Sequence, residues 1–127
     1  MKYLLDTHTA IWALTDDVKL SKTARAMMAD TSNSLCISIV SAWELAIKIS
    51  LGKLDFVGGV GAFINEIEEN GIEMLGIDGA HVKCVESLPF IHRDPFDRLI
   101  IATAKTDSLK LLTADDNIHK YDVDWEW

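Results

Sequence analysis

Four acidic residues stand among neighbours that do not suit them. Asp6 closes the run Tyr3-Leu4-Leu5, and Glu44 sits between Val40-Ser41-Ala42-Trp43 and Leu45-Ala46-Ile47. Asp97 follows Asp94-Pro95-Phe96 and leads into Leu99-Ile100-Ile101-Ala102, while Asp115 ends Leu111-Leu112-Thr113-Ala114. An ionised carboxylate among apolar groups is costly unless it is paired, hydrogen-bonded or coordinated. Each acid has an ordinary explanation. Asp is a leading helix cap, which covers Asp6 and Asp115. A first-turn acid is favoured by the helix dipole, which covers Asp97. Glu44 faces Lys48 four residues on, and an exposed pair of that kind contributes only ~0.3–0.5 kcal/mol. These explanations are independent of one another, whereas a common pocket accounts for all four acids at once.

Carboxylates gathered with no lysine among them cannot all stay ionised unaided, so protons or a cation must compensate. Oxygen-only donors favour Mg²⁺ or Mn²⁺ over zinc. A water activated by such an ion beside a phosphodiester supports in-line hydrolysis. Thr7 and Thr113, next to Asp6 and near Asp115, are placed to hydrogen-bond ligands or waters. Arg98, with Arg93 and His92, could meet a substrate phosphate, an internal ion pair being the competing reading for Arg98.

The elements that must position these residues follow from periodicity and punctuation. Residues 2–6 read as a strand whose terminal acid opens a helix through Ala10–Leu14. Asp16-Asp17 marks a turn, and Ser21 caps a helix ending near Asp30. Leu35–Ser38 is the second strand, followed by an apolar helix to Leu51 that Gly52 closes. Gly58-Gly59-Val60-Gly61 resembles a nucleotide fingerprint, but Ile64 stands where the third glycine belongs and no strand precedes it. It reads as a flexible connection. Ala62–Asn70 is amphipathic, with Glu66, Glu68 and Glu69 on a solvated face. Ile72–Ile77 reads as a strand and Ala80–Leu88 as a helix in which His81 lies at the surface or caps. Pro95, preceded by Asp94, starts a mostly buried helix. Leu109–Thr113 is a fourth strand, Ile118–Tyr121 a short helix, and Val123–Trp127 an edge strand. Strand–helix alternation throughout predicts an α/β/α sandwich on a mainly parallel sheet. In such a sheet ligands bind beyond the carboxyl ends of the strands, where Asp6 and Asp115 fall.

The 127 residues suit one domain spanning 1–127 with a real core. No apolar run approaches the ~20 residues of a membrane span, and the first acid arrives too early for a signal peptide. Cys36 and Cys84, both in apolar surroundings, read as buried hydrophobes rather than a disulfide, which points to the cytoplasm. The formal net charge of −8 argues against a simple phosphate-binding surface and favours cations and basic partners.

Taken together, Leu4-Leu5-Asp6-Thr7, Ser41-Ala42-Trp43-Glu44, His92-Arg93-Asp94-Pro95-Phe96-Asp97-Arg98-Leu99-Ile100-Ile101-Ala102 and Leu112-Thr113-Ala114-Asp115 occur in the order and spacing of PIN domains. The whole chain most resembles the branch related to the VapC ribonucleases of type II toxin–antitoxin pairs. The resemblance implies a three-layer fold and a Mg²⁺- or Mn²⁺-dependent endoribonuclease acting on RNA. It implies that Asp6, Glu44, Asp97 and Asp115 are catalytic and that Asp6, Asp97 and Asp115 hold metal, with Glu44, Asp94 and Asp116 as further candidate ligands. A homodimer and an antitoxin partner are implied as well. The rival readings are a PIN-like interaction module without turnover and a metal-dependent phosphatase. A phosphatase of the haloacid-dehalogenase type would place a second Asp where His8 stands.

Overall fold

The computed structural model describes residues 1–127. Five strands form one sheet in the order β3-β2-β1-β4-β5, and every neighbouring pair is parallel. In chain order these are β1 (Lys2–Leu5), β2 (Ser34–Ser38), β3 (Glu73–Leu75), β4 (Lys110–Leu112) and β5 (Trp125–Glu126). Seven helices connect them: α1 (Thr7–Leu14), α2 (Lys22–Ala29), α3 (Ile39–Ser50), α4 (Gly59–Glu69), α5 (Gly79–Ser87), α6 (Pro95–Thr106) and α7 (Asp116–His119). The expected alternation and parallel sheet are present.

Register explains the three layers. Leu4 pairs with Cys36 and Leu111, while Leu5 pairs with Ile37 and Leu112. Successive strand residues point to opposite faces, so each pairing row feeds one face. Leu4, Cys36 and Leu111 pack with Ile100, Ile101, Ala104 and Ile118 beneath α5, α6 and α7. Leu5, Ile37 and Leu112 pack with Ala10, Ala24, Leu45, Phe63 and Ile67 beneath α1, α2, α3 and α4. All of these side chains are buried. At about 25 cal/mol per Å² of apolar area, the two faces supply most of the driving force for folding.

Helix starts follow the sequence signals closely. Asp6, Ser21, Ser38, Asp78, Asp94 and Asp115 each accept a backbone N–H at the start of a helix, and Pro95 occupies the first turn of α6. Two expectations need correction. The glycine-rich stretch is a helix start, since α4 begins at Gly59, and Gly58 takes the left-handed conformation that a side chain resists. His81 is buried as well as capping. Its Nδ1 accepts from Asp78 N, and its Nε2 lies 3.0 Å from Asp107 Oδ2 at the far end of α6. Cys36 and Cys84 are free, and burial pushes the Cys36 thiol up to about 11, leaving it unreactive. No helix is long and apolar enough to cross a membrane.

Candidate active site

Parallel strands end on one rim, and the chain uses that rim four times. Asp6 follows β1 directly and caps α1. Its Oδ1 accepts from Thr9 N at 2.8 Å, and its Oδ2 accepts from Thr113 Oγ1 just beyond β4. Thr113 Oγ1 in turn accepts from Asp115 N at 3.1 Å, and the Thr113 carbonyl accepts from His119 Nε2 at 2.7 Å. The fully buried Thr113 therefore links the ends of β1 and β4 and fixes both acids.

Glu44 enters from α3. It is 2% exposed, so the exposed-pair reading of this residue fails, although the pair itself exists. Lys48 Nζ meets Glu44 Oε2 at 2.5 Å, while Thr7 Oγ1 donates to Glu44 Oε1 at 2.7 Å and touches Ser41 Oγ. Lys48 corrects the expectation that no lysine lies among the acids. Burial opposes its charge, yet its pKa is raised by Glu44, Asp94 and Asp97. Thr7 and Thr113 thus hold Glu44 and Asp6 by direct hydrogen bonds.

Asp97, on the first turn of α6, is held in an environment that disfavours its charge. Its carboxyl is pushed up to about 7, first by burial and then by the charge of Asp94, with Glu44 and Asp6 adding to it. His92 Nε2, 2.9 Å from Asp97 Oδ2, works in the opposite direction. Burial also raises Asp6, against the hydrogen bonds from Thr113 and Thr9. Asp6, Glu44, Asp94 and Asp97 therefore share one electrostatic neighbourhood. Donor atoms of His92, Asp94 and Asp97 lie within 4.8 Å of one another, a span that one cation can bridge.

The last acidic position divides cleanly. Asp115 lines a 230 Å³ cavity together with Asp6, whereas the Asp116 carboxylate is 98% exposed to solvent. Asp115 also caps α7 through Asn117 N. Arg98, weighed between a phosphate contact and an internal ion pair, is buried with its guanidinium hydrogen-bonded within the chain. It is 7% exposed and donates to the carbonyls of Pro89, Val85, Leu88 and His92 and to the Tyr121 hydroxyl. Its partners are carbonyls and a phenol, so it is structural without being an ion pair. Arg93 remains exposed. Sequence reasoning did not single out Lys48 as a partner of the buried site or His92 as a partner of Asp97. The i,i+4 spacing to Glu44 carried the first of those signals.

The arrangement gathers oxygen donors, keeps one of them protonatable near neutrality, and orients each through neighbouring hydroxyls. The PIN domain family model matches residues 3–124. Ribonuclease VapC22 of Mycobacterium tuberculosis is 27% identical over 119 residues, covering 93% of this chain and 90% of that protein. Among solved structures, VapBC2 from Rickettsia felis bound to a promoter DNA fragment aligns with a TM-score of 0.74 at 16% identity, covering 99% and 98% of the two chains. A toxin–antitoxin complex from Klebsiella pneumoniae aligns at 0.65 with 15% identity, covering 98% and 96%. These two structures share the fold with this chain. With the family model running across nearly its whole length, the chain belongs to the PIN domain family.

Proposed function

We propose that this chain, as one PIN unit over residues 1–127, is a divalent-metal-dependent endoribonuclease and the toxin of a toxin–antitoxin pair, acting on RNA in the cytoplasm. The observation that carries the reading is the place of Asp97, buried beside Asp94 and within the field of Glu44 and Asp6, where burial first and the Asp94 charge second push its carboxyl up to about 7. A divalent cation held among these carboxylates would offset the charge that otherwise favours the protonated form of Asp97. The donors fit a hard ion such as Mg²⁺ or Mn²⁺, since all are carboxylate oxygens except the His92 imidazole.

Asp6, Asp97 and Asp115 would hold the ion, with Glu44 and Asp94 within reach of the same charge. When bound, such an ion lowers the pKa of a coordinated water and offsets charge on phosphate oxygens. The chain's own residues do the positioning. Thr113 and Thr9 fix the Asp6 carboxylate, Thr7 and Lys48 fix Glu44, and His92 orients Asp97. The ribonuclease named among the relatives supports RNA as substrate, and the toxin–antitoxin structures support an antitoxin partner. A homodimer belongs to the same reading.

Incubating purified protein with RNA and Mn²⁺ tests it. Cleavage is expected with metal and is expected to vanish with chelator, with Asp6→Asn and with Asp97→Asn. Cleavage that survives both substitutions overturns the assignment.

A further inference from the structure

The cavity beside the acids is also lined by two rings that the hydrolytic reading does not use. Asp6, Asp115 and Ala114 line this 230 Å³ space together with His8 and Trp12. His8 and Trp12 are four residues apart on α1, hence on one helical face, with ring centroids 5.9 Å apart. Trp12 has two further neighbours. The Trp127 ring lies 5.8 Å away at 58°, and the Lys19 ammonium stands 5.9 Å from the Trp12 ring centre. Trp12 is only half-buried and His8 is exposed. An indole held in place at the edge of an acidic pocket offers a flat apolar surface to something that arrives there.

Size and charge narrow the occupant. The cavity falls below the roughly 300–1,000 Å³ of a drug-sized ligand site, which suits one planar ring better than a folded chain. The two acids in its wall repel anions, so the occupant presents a neutral face. Stacking on an aromatic platform requires no positive charge, and a chain of net charge −8 has little to spend on phosphates. We propose that the cavity between His8–Trp12 and Asp6–Asp115 is a subsite for one unpaired nucleobase of the RNA, stacked on Trp12. This rests on the endoribonuclease reading and adds a positioning element to it: the base sets which phosphodiester lies over the acids.

The test measures binding in metal-free buffer, apart from cleavage. Equal-length oligoribonucleotides of A, C or U, and a ribose-phosphate oligomer lacking bases, are titrated against the full chain and followed by tryptophan fluorescence and by direct affinity. Base-bearing oligomers are expected to bind about five- to hundredfold more tightly than the base-free one, within the range for a stacked base. Trp12→Leu keeps apolar bulk and is expected to close that gap. Trp12→Phe keeps a ring and is expected to retain most of it while losing most of the quenching. With Mn²⁺ and cleavable RNA, Trp12→Leu is expected to raise KM more than it lowers kcat. Equal affinity for base-free and base-bearing oligomers overturns the subsite, as does a gap that persists in Trp12→Leu. A base-dependent gap without any Mn²⁺-dependent cleavage keeps the subsite and overturns the hydrolase; cleavage without the gap does the reverse.

Discussion

Asp97 concentrates the conflict between folding and function in one carboxyl. Its pKa rises from 3.8 to about 7 in the folded chain, so the native state holds that proton more tightly than the unfolded state does. The resulting stabilisation is complete below the unfolded value of 3.8 and is lost as pH rises toward 7. At ~1.36 kcal/mol per unit, it amounts to a few kcal/mol. Metal-free protein is therefore expected to lose thermal stability between pH 4 and 7, and Asp97→Asn is expected to flatten that slope and stabilise the chain at pH 7–8. A divalent ion competes with the proton, so Mn²⁺ is expected to raise Tm more at pH 7.5 than at pH 5. Thermal melts across pH, with Mn²⁺ and with chelator, check both. A Tm of Asp97→Asn that follows the wild-type slope would mean that the crowding is not felt at Asp97.

At this scale the sequence was informative wherever a polar residue interrupted an apolar run. Asp6, Glu44 and Asp97 stood out because each is a carboxylate within or beside a mostly apolar run. Arg98 was ambiguous, because a charged residue in such a run signals burial or function equally. Only the carbonyls of residues 85, 88, 89 and 92, brought around it by the chain turning at Pro89, decide for structure. His92 and His81 were opaque for a related reason. Their partners, Asp97 and Asp107, are set by how α6 lies, and spacing does not encode that.

Elements were legible where local chemistry determines them. Caps, the Pro95 start and the alternating strand pattern are properties of a few adjacent residues, and they placed every strand to within a few positions. The glycine-rich connection was harder, because glycine permits both a loop and a helix start. Gly58 and Gly61 separate these roles. At Gly58, φ is +85° and an added Cβ would meet Ala62 Cβ at 2.6 Å, whereas at Gly61 an added Cβ meets nothing within 4 Å. Gly58→Ala is expected to cost about 1–3 kcal/mol, combining backbone strain with the clash. Gly61→Ala, inside α4, is expected to stabilise by up to ~1 kcal/mol. Urea denaturation of the two variants checks the contrast, and equal effects would refute it. Arg98 makes the equivalent case for α6. Arg98→Lys cannot reach four carbonyls and a phenol with one ammonium, and a loss of about 2–4 kcal/mol is expected in the same assay.

Over the whole molecule, charge sets the terms on which RNA can be held. Of 12 Lys and Arg residues, Lys2, Arg25, Lys48, Lys105 and Lys110 are committed to Glu73, Asp16, Glu44, Asp122 and Glu126. Arg98 is buried. The remaining basic residues are scattered along the chain from Lys19 to Lys120, against 20 acids in all. Few basic side chains are therefore free of an acid partner, and in the proposed reading affinity for RNA comes mainly from the cation at the acids and from base stacking. Each phosphate neutralised by protein adds roughly −0.7 to the slope of log affinity against log salt for a single strand. With at most about two such contacts, KM is expected to rise by less than about tenfold between 50 and 200 mM KCl at fixed Mn²⁺. A basic antitoxin segment reaching the same acids would behave differently. Its association gains from the surplus of negative charge and is expected to weaken steeply over that range. Steady-state cleavage kinetics across KCl measure the first slope. A rise in KM of a hundredfold or more would correspond to about five phosphate contacts and would overturn the two-contact expectation.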